Sequence, residues 1–350
     1  MDPATHVLSG ALLARATAPP RPRKHQLSTR TRVLVGALAS GFPDADLILR
    51  FIDPLFYLAY HRSVLNSVVL LPLWTVLLSG LFWLLWRRQY PVRAFAGVCL
   101  LVLSLHIFMD LITSFGSMIF SPISFARLAL STTFIIDPYL SAIIATGVLA
   151  SLFWRHTRLP AVTAFTVLTA YIGTQAILHQ RALSAAEEYA DAQRIENNAI
   201  YALPQPFSPF NWMLVVLQDD VYHVAYISLL RKEVAATPPD AGMLRKVYDS
   251  YRPAQHALWQ SIPRFGQSLK DAELARVVWE HDTLRIYRHF ALLPALYRID
   301  NDAGTCVWFR DLRFALVGRG PVFPFGLCRE HARSPWRLYR LTDEGKELLL

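Results

Sequence analysis

Apolar runs dominate the first half of the chain, and several have the length of membrane spans. Residues 64–86, 94–112, 134–154 and 161–178 carry at most one formal charge each. A hydrocarbon core of about 30 Å needs roughly 20 such residues as helix, so each run predicts a spanning helix. Two shorter apolar segments precede them. Residues 5–18 read as a short helix with Thr5 as its N-cap. Residues 33–42, rich in small side chains, run into Pro43-Asp44-Ala45-Asp46. A Pro/Arg loop at 19–32 separates the two, and a short aromatic segment ends at Tyr60-His61-Arg62-Ser63.

After Leu178 the pattern changes. Residues 180–200 are charged and amphipathic, which predicts helix. Residues 212–217 and 221–230, split by Gln218-Asp219-Asp220, predict a β-hairpin. A helix is expected over 272–290, and short strands at 295–299, 306–309, 313–317 and 337–341. The expected fold is therefore an all-α polytopic membrane helix bundle, residues 1–178, followed by a small α+β extramembrane domain, residues 179–350. No internal repeat or low-complexity tract interrupts this division.

Composition agrees with a membrane protein joined to a wetter domain: 53% of residues are hydrophobic and only 17% charged, against about 25% charged in soluble domains. The net charge of +9 does not point to nucleic acid, because the cations are grouped between apolar runs. Arg15, Arg21, Arg23, Lys24, Arg30 and Arg32 form one acid-free group, Arg87, Arg88 and Arg93 a second, Arg155 and Arg158 a third. That is where topology-setting charges sit. No cleavable signal peptide is visible, since the N-terminus lacks a basic leader region. Of three cysteines, Cys99 lies in an apolar run and reads as inert packing. Cys306 and Cys328 can pair if their domain is non-cytoplasmic.

The candidate chemistry starts at His106 and Asp110. Four residues apart on a helix, they share one face, and an ionisable pair in an apolar span usually faces an interior site. Placing the basic groups inside brings further polar residues to the opposite, outer face by alternation. These are His6 at the start of the first helix, Asp44 and Asp46 at the end of the second, His61 and Asp137. Imidazole and carboxylate together are metal ligands. Each residue also has a plainer reading. His106 and Asp110 can be a polar clamp between helices; the Asp44–Asp46 segment a turn; His61-Arg62 an interfacial pair; His6 a helix-start histidine; and Asp137-Pro138 an N-cap with Pro at N1. The other histidines lack partners at ligand spacing. Ser63 and Ser67 flank the site, but no Ser-His-Asp order accompanies them. Gly-rich phosphate loops and CxxC zinc motifs are absent from the sequence.

Thr5-His6 with Gly10, Phe42-Pro43-Asp44-Ala45-Asp46, His61-Arg62-Ser63 with Ser67, Leu105-His106 through Asp110 to Phe115-Gly116, and Ile136-Asp137-Pro138 resemble the YdjM family of bacterial inner-membrane proteins, described as metal-dependent hydrolases. The resemblance covers residues 1–178 well; Pro204 to Trp212 and Asp311-Leu312-Arg313-Phe314 are similar to the C-terminal part of its extended members. Members commonly carry a second histidine where Asn66 stands, and Asn is a poor zinc ligand. The ligand order is also similar to that of zinc-dependent phospholipase C and P1-type nucleases, although the later histidines of their clusters have no counterpart here. Carried over, His6, Asp44, His61, His106 and Asp110 would be the ligands, and Asp46, Arg62 and Asp137 would serve catalysis.

The function expected is a multi-pass inner-membrane hydrolase of a phosphoester such as a lipid headgroup, with the site and the C-terminal domain on the non-cytoplasmic face. The His/Asp mix favours zinc, with manganese or magnesium as alternatives. Arg62 would neutralise the phosphate; Asp46 or Asp137 would act as general base or orient a ligating histidine. The alternative is a non-enzymatic, damage-responsive membrane scaffold whose polar cluster holds helices together. A transporter fits less well, because the polar groups gather at one face rather than at the midplane.

Overall fold

The computed structural model describes residues 1–196, 199–234, 237, 238, 240–302 and 304–349. It resolves into two compact units: Met1–Leu49 with Tyr60–Ile177, and Arg50–Ala59 with Leu178–Leu350.

The first unit is helical. Helix α1 (Pro3–Ala16) starts two residues earlier than expected, because Asp2 rather than Thr5 is the N-cap and Pro3 takes a first-turn position where no amide is needed. Helix α2 (Thr29–Gly41) lies against α1 at very short range. A Cβ on Gly10 would stand 2.3 Å from the Ser40 Cβ and 2.5 Å from the Gly36 carbonyl, so only glycine permits this approach. After α2 the chain tightens into a 3₁₀ segment, Phe42–Phe51. Helix α3 (Pro54–Tyr60) follows, then α4 (Leu71–Leu85), α5 (Val92–Leu111), α6 (Pro138–Phe153) and α7 (Leu159–Ala192).

Fewer helices span than the sequence led us to expect. The run at 64–86 is interrupted: the Ser67 hydroxyl accepts from the amides of Val69 and Leu70, and Pro72 opens a new helix. The expected helix over 134–154 begins only at Pro138, where Asp137 caps it. Among the described residues two helices, α5 and α7, are long and apolar enough to cross a membrane, or three spans if the bent pair Pro54–Asn66 and Leu71–Leu85 counts as one. Helix α7 continues without a break from its apolar half into the charged residues that follow.

The second unit is rich in β-sheet. Strands β1 (Ala199–Pro204), β2 (Asn211–Gln218) and β3 (Val221–Ser228) form an antiparallel set, extended by β4 (Arg252–Pro253) and β5 (Gln260–Pro263) on β3. The predicted hairpin is β2–β3. Strand β2 is apolar from Trp212 to Leu217 because both its faces are covered. Trp212, Leu214 and Val216 pack on Leu178, Ala182, Ala186 and Ala190 of α7. Met213 and Val215 pack with Leu293, Ala295 and Leu312. The second sheet is an antiparallel meander of β6 (Pro294–Asp300), β7 (Thr305–Asp311), β8 (Phe325–Arg329), β9 (Arg337–Thr342) and β10 (Gly345–Leu348). Cys306 and Cys328 face each other across β7 and β8 and form a disulfide. Helices α8 (Met243–Ser250), α9 (Leu269–Glu280) and α10 (Arg285–Phe290) complete the unit. The single helix expected at 272–290 is broken at His281, and the strand expected at 313–317 is instead a 3₁₀ turn, Leu312–Phe314, started by the Asp311 carboxylate.

Candidate metal centre

Helix α5 sets His106 and Asp110 one turn apart, and both are fully buried. Helix α1 brings His6 beside them, so that the His6 and His106 rings stack at 3.7 Å. The glycine contact makes this approach possible and adds a further tie, in which the Ser40 hydroxyl donates to the His6 carbonyl at 2.8 Å. Asp44 enters from the 3₁₀ segment. His6, Asp44, His106 and Asp110 each offer a ligand atom, all within 4.8 Å of one another and all buried.

These residues fit a cation. The ring nitrogen Nδ1 of His106 donates to the Ser40 carbonyl at 2.7 Å. A carbonyl cannot donate, so Nδ1 carries the proton and Nε2 of the neutral ring presents a lone pair. That Nε2 has no hydrogen-bond partner, and neither has Oδ2 of Asp44, although both are buried. Buried polar atoms without partners are costly, and a shared cation would satisfy both. The His6 Nε2 to Asp110 Oδ1 distance is 3.0 Å, His106 Nε2 to Asp110 Oδ2 is 3.3 Å, and His106 Nε2 to Asp44 Oδ1 is 4.0 Å. With metal–ligand bonds of about 2.0–2.2 Å, donors around one ion lie roughly 3–4 Å apart; these three pairs fall in that range, and the whole set, within 4.8 Å, needs only a small closure around an ion. Burial pushes the Asp44 carboxyl up to about 6, partly offset by His106 beside it.

Asp110 is the hub. Arg62 Nη2 lies 3.0 Å from Oδ1, Asn66 Nδ2 donates to Oδ2 at 2.5 Å, and the Met1 amino group also contacts Oδ1. Arg62 is itself buried, with Nη1 donating to Thr113 at 2.8 Å and the guanidinium 4.8 Å over the Phe115 ring. Its Nε has no partner. The Arg62 guanidinium and the Met1 amino group together balance the carboxylates of Asp44 and Asp110 when all four are charged, and a divalent cation would make the centre net positive. Such a centre attracts hydroxide or a phosphate oxygen.

The remaining site candidates fall elsewhere. His61 is outside the group of four; its Nδ1 sits 2.9 Å from Asp46 Oδ1, so the two form a carboxylate–imidazole pair. In a 3₁₀ helix residues two apart point in different directions, which is why Asp44 and Asp46 serve separate partners. Asp137 is not positioned as a base. Its Oδ1 accepts from the amides of Tyr139 and Leu140, and its Oδ2 from the Tyr171 hydroxyl at 2.7 Å, so it caps α6 and ties it to α7. Sequence reading missed Ser40, Thr113 and Arg127. Ser40 acts through its carbonyl, which no residue type signals. Arg127 lies in the irregular segment after α5, donates to the carbonyls of His61 and Gly116, and stands 5.3 Å over Phe115.

Comparison with known proteins supplies the context. An uncharacterized protein of Bacillus subtilis (strain 168), YfhP, is 25% identical over 177 residues, which is 49% of this chain and 52% of that protein. The chain thus spans about half the length of this curated relative. No solved structure matches. The YdjM inner membrane protein family matches residues 1–182, just over half of the chain and the whole of the segment carrying His6, Asp44, His106 and Asp110. The chain belongs to the YdjM inner membrane protein family.

Proposed function

We propose that this protein is an integral membrane hydrolase that uses a divalent metal, zinc first, to cleave a phosphoester at the lipid–water boundary, with a phospholipid headgroup as substrate class. The observation that carries the reading is the pair of orphaned buried lone pairs, His106 Nε2 and Asp44 Oδ2, within one group of four ligand-type side chains. His6, Asp44, His106 and Asp110 would hold the ion. When bound, a divalent cation supplies Lewis-acid polarisation of a phosphoryl oxygen and lowers the pKa of water. Arg62 contributes fixed positive charge beside the centre, and its unpartnered Nε is available to a phosphate oxygen. Asp46 orients the His61 ring through Nδ1 at 2.9 Å, and an imidazole held by a carboxylate suits proton transfer. Basic groups gather on the cytoplasmic side of membrane proteins, which supports a cluster on the non-cytoplasmic face, and an oxidised Cys306–Cys328 pair accords with a C-terminal domain on that side.

Elemental analysis of detergent-purified protein tests this directly. Wild type should carry about one divalent ion per chain, and His106→Ala should lose it while still eluting as a monodisperse species. Metal-free wild type that fails to take up zinc, manganese or magnesium would remove the enzymatic reading.

A second reading has its own observation. Asp110 is already held by Arg62, Asn66 and the Met1 amino group, as in a clamp that locks helices together for a scaffold. A scaffold would keep its biological effect in Asp44→Asn, which leaves every donor to Asp110 in place; a metal hydrolase would lose both ion and activity.

A further inference from the structure

A second feature lies at the other end of α1, nine residues from His6 and so about 14 Å along the helix. A groove of about 640 Å³ opens between α1, α2 and α6. Its wall is apolar, with Leu12, Val33, Leu34, Ala37, Val148 and Leu152 facing it. Leu34 and Leu152 are about half exposed, at 49% and 55%, so the groove opens on an apolar surface. Three arginines from three separate segments also line it: Arg15, Arg30 and Arg155.

Among the described residues none of the three has an acidic partner. Arg15 is held by backbone carbonyls instead, donating to those of Arg155 at 2.8 Å and Thr157 at 2.6 Å. The Nε of Arg155 donates to the Leu152 carbonyl at 2.8 Å. Carbonyls position a guanidinium without neutralising it. The helices lining the groove cannot neutralise it either, since no Asp or Glu occurs between residues 3 and 43 or between 138 and 186. Charges that only set topology need no common target. These converge on the mouth of one apolar channel, beside the N-terminal end of α2 where Ser28 caps the helix, and that end favours an anion as well.

We infer that this groove binds an anionic phospholipid as a resident ligand, with an acyl chain along the α1–α2–α6 wall and the headgroup phosphate against Arg15, Arg30 and Arg155. The three cations match a phosphodiester better than a zwitterionic headgroup, whose own ammonium would be repelled. The groove is distinct from the metal centre, so the lipid bound here is a structural or regulatory ligand whether or not the centre hydrolyses phosphoesters.

The test uses full-length protein in nanodiscs of equal phosphatidylglycerol and phosphatidylcholine, with retained lipid read by native mass spectrometry. Wild type should retain phosphatidylglycerol over phosphatidylcholine by about tenfold or more, since each cation at a membrane surface contributes several-fold. Arg15→Gln/Arg30→Gln/Arg155→Gln should retain the two lipids equally. The control Arg87→Gln/Arg88→Gln/Arg93→Gln removes the same charge away from the groove and should behave as wild type. Unchanged preference in the groove variant, or equal loss in the control, would overturn the inference. So would displacement of the lipid by millimolar inorganic phosphate, which would mark a free-anion site. Should the triple variant not fold, Arg30→Glu reverses one exposed charge and must by itself lower the preference; unchanged retention in it counts equally against the inference.

Discussion

Replacing Gly36 with alanine is the sharpest test of how the buried cluster is assembled. The new Cβ would stand 2.5 Å from the Ala14 Cβ and 2.8 Å from the Gly10 carbonyl oxygen. Ordinary carbon contacts begin at about 3.5 Å, so α1 and α2 must part by about 1 Å. The bond from His106 Nδ1 to the Ser40 carbonyl is 2.7 Å; lengthened by that amount it ceases to be a hydrogen bond. The tie from Ser40 to the His6 carbonyl, 2.8 Å, is stretched with it. Overpacking costs about 1–3 kcal/mol, offset by about 1 kcal/mol of better helix propensity. The net loss of stability should be about 0–2 kcal/mol. The larger effect is on metal affinity, where loss of a residue orienting a ligating histidine costs about 10- to 100-fold. Chelator competition on detergent-purified protein measures it, with thermal unfolding alongside. Gly97→Ala in α5 is the control, because nothing lies within 4 Å of its added Cβ; it should bind metal as wild type does. If Gly36→Ala bound metal as tightly as wild type and melted higher, the argument from helix approach to ligand orientation would be refuted.

Metal binding should weaken as pH falls through about 6, because burial lifts the Asp44 carboxyl to that value and protons then compete with the ion for it. Affinities at pH 7.5, 6.5 and 5.5 check this, and a flat profile would contradict it. Asp137→Ala should lower stability by about 0.5–2 kcal/mol through loss of the α6 cap, with metal content unchanged; lost metal would restore Asp137 to the site. Cys306→Ser, which opens a bridge between residues 22 apart in sequence, should cost about 2–4 kcal/mol, seen as a lower midpoint in denaturant for the variant than for the oxidised protein.

Residue order alone established several things. The four-residue spacing of His106 and Asp110 placed them on one helix face, since helical periodicity is local. The composition of residues 1–178 marked a membrane protein for the same reason. Two apolar runs, 212–217 and 221–230, split by Gln218-Asp219-Asp220, marked the hairpin, because turn residues between two strand-forming runs are a local signal. What the order of residues could not show was which polar groups meet. His61 has the same chemistry as His6, yet it pairs with Asp46 while His6 stacks on His106, because a 3₁₀ segment and a glycine-to-glycine helix contact set the directions. Helix ends were equally hidden. Ser67, whose hydroxyl accepts from two amides ahead of α4, and Asp137, which caps α6, turn apolar runs into shorter helices, an effect that hydropathy does not register. Ser40 contributes a backbone carbonyl, and any residue has one. Ligand-type side chains can be read from a chain, but the orientation that makes them a centre depends on tertiary contacts a few tenths of an ångström wide.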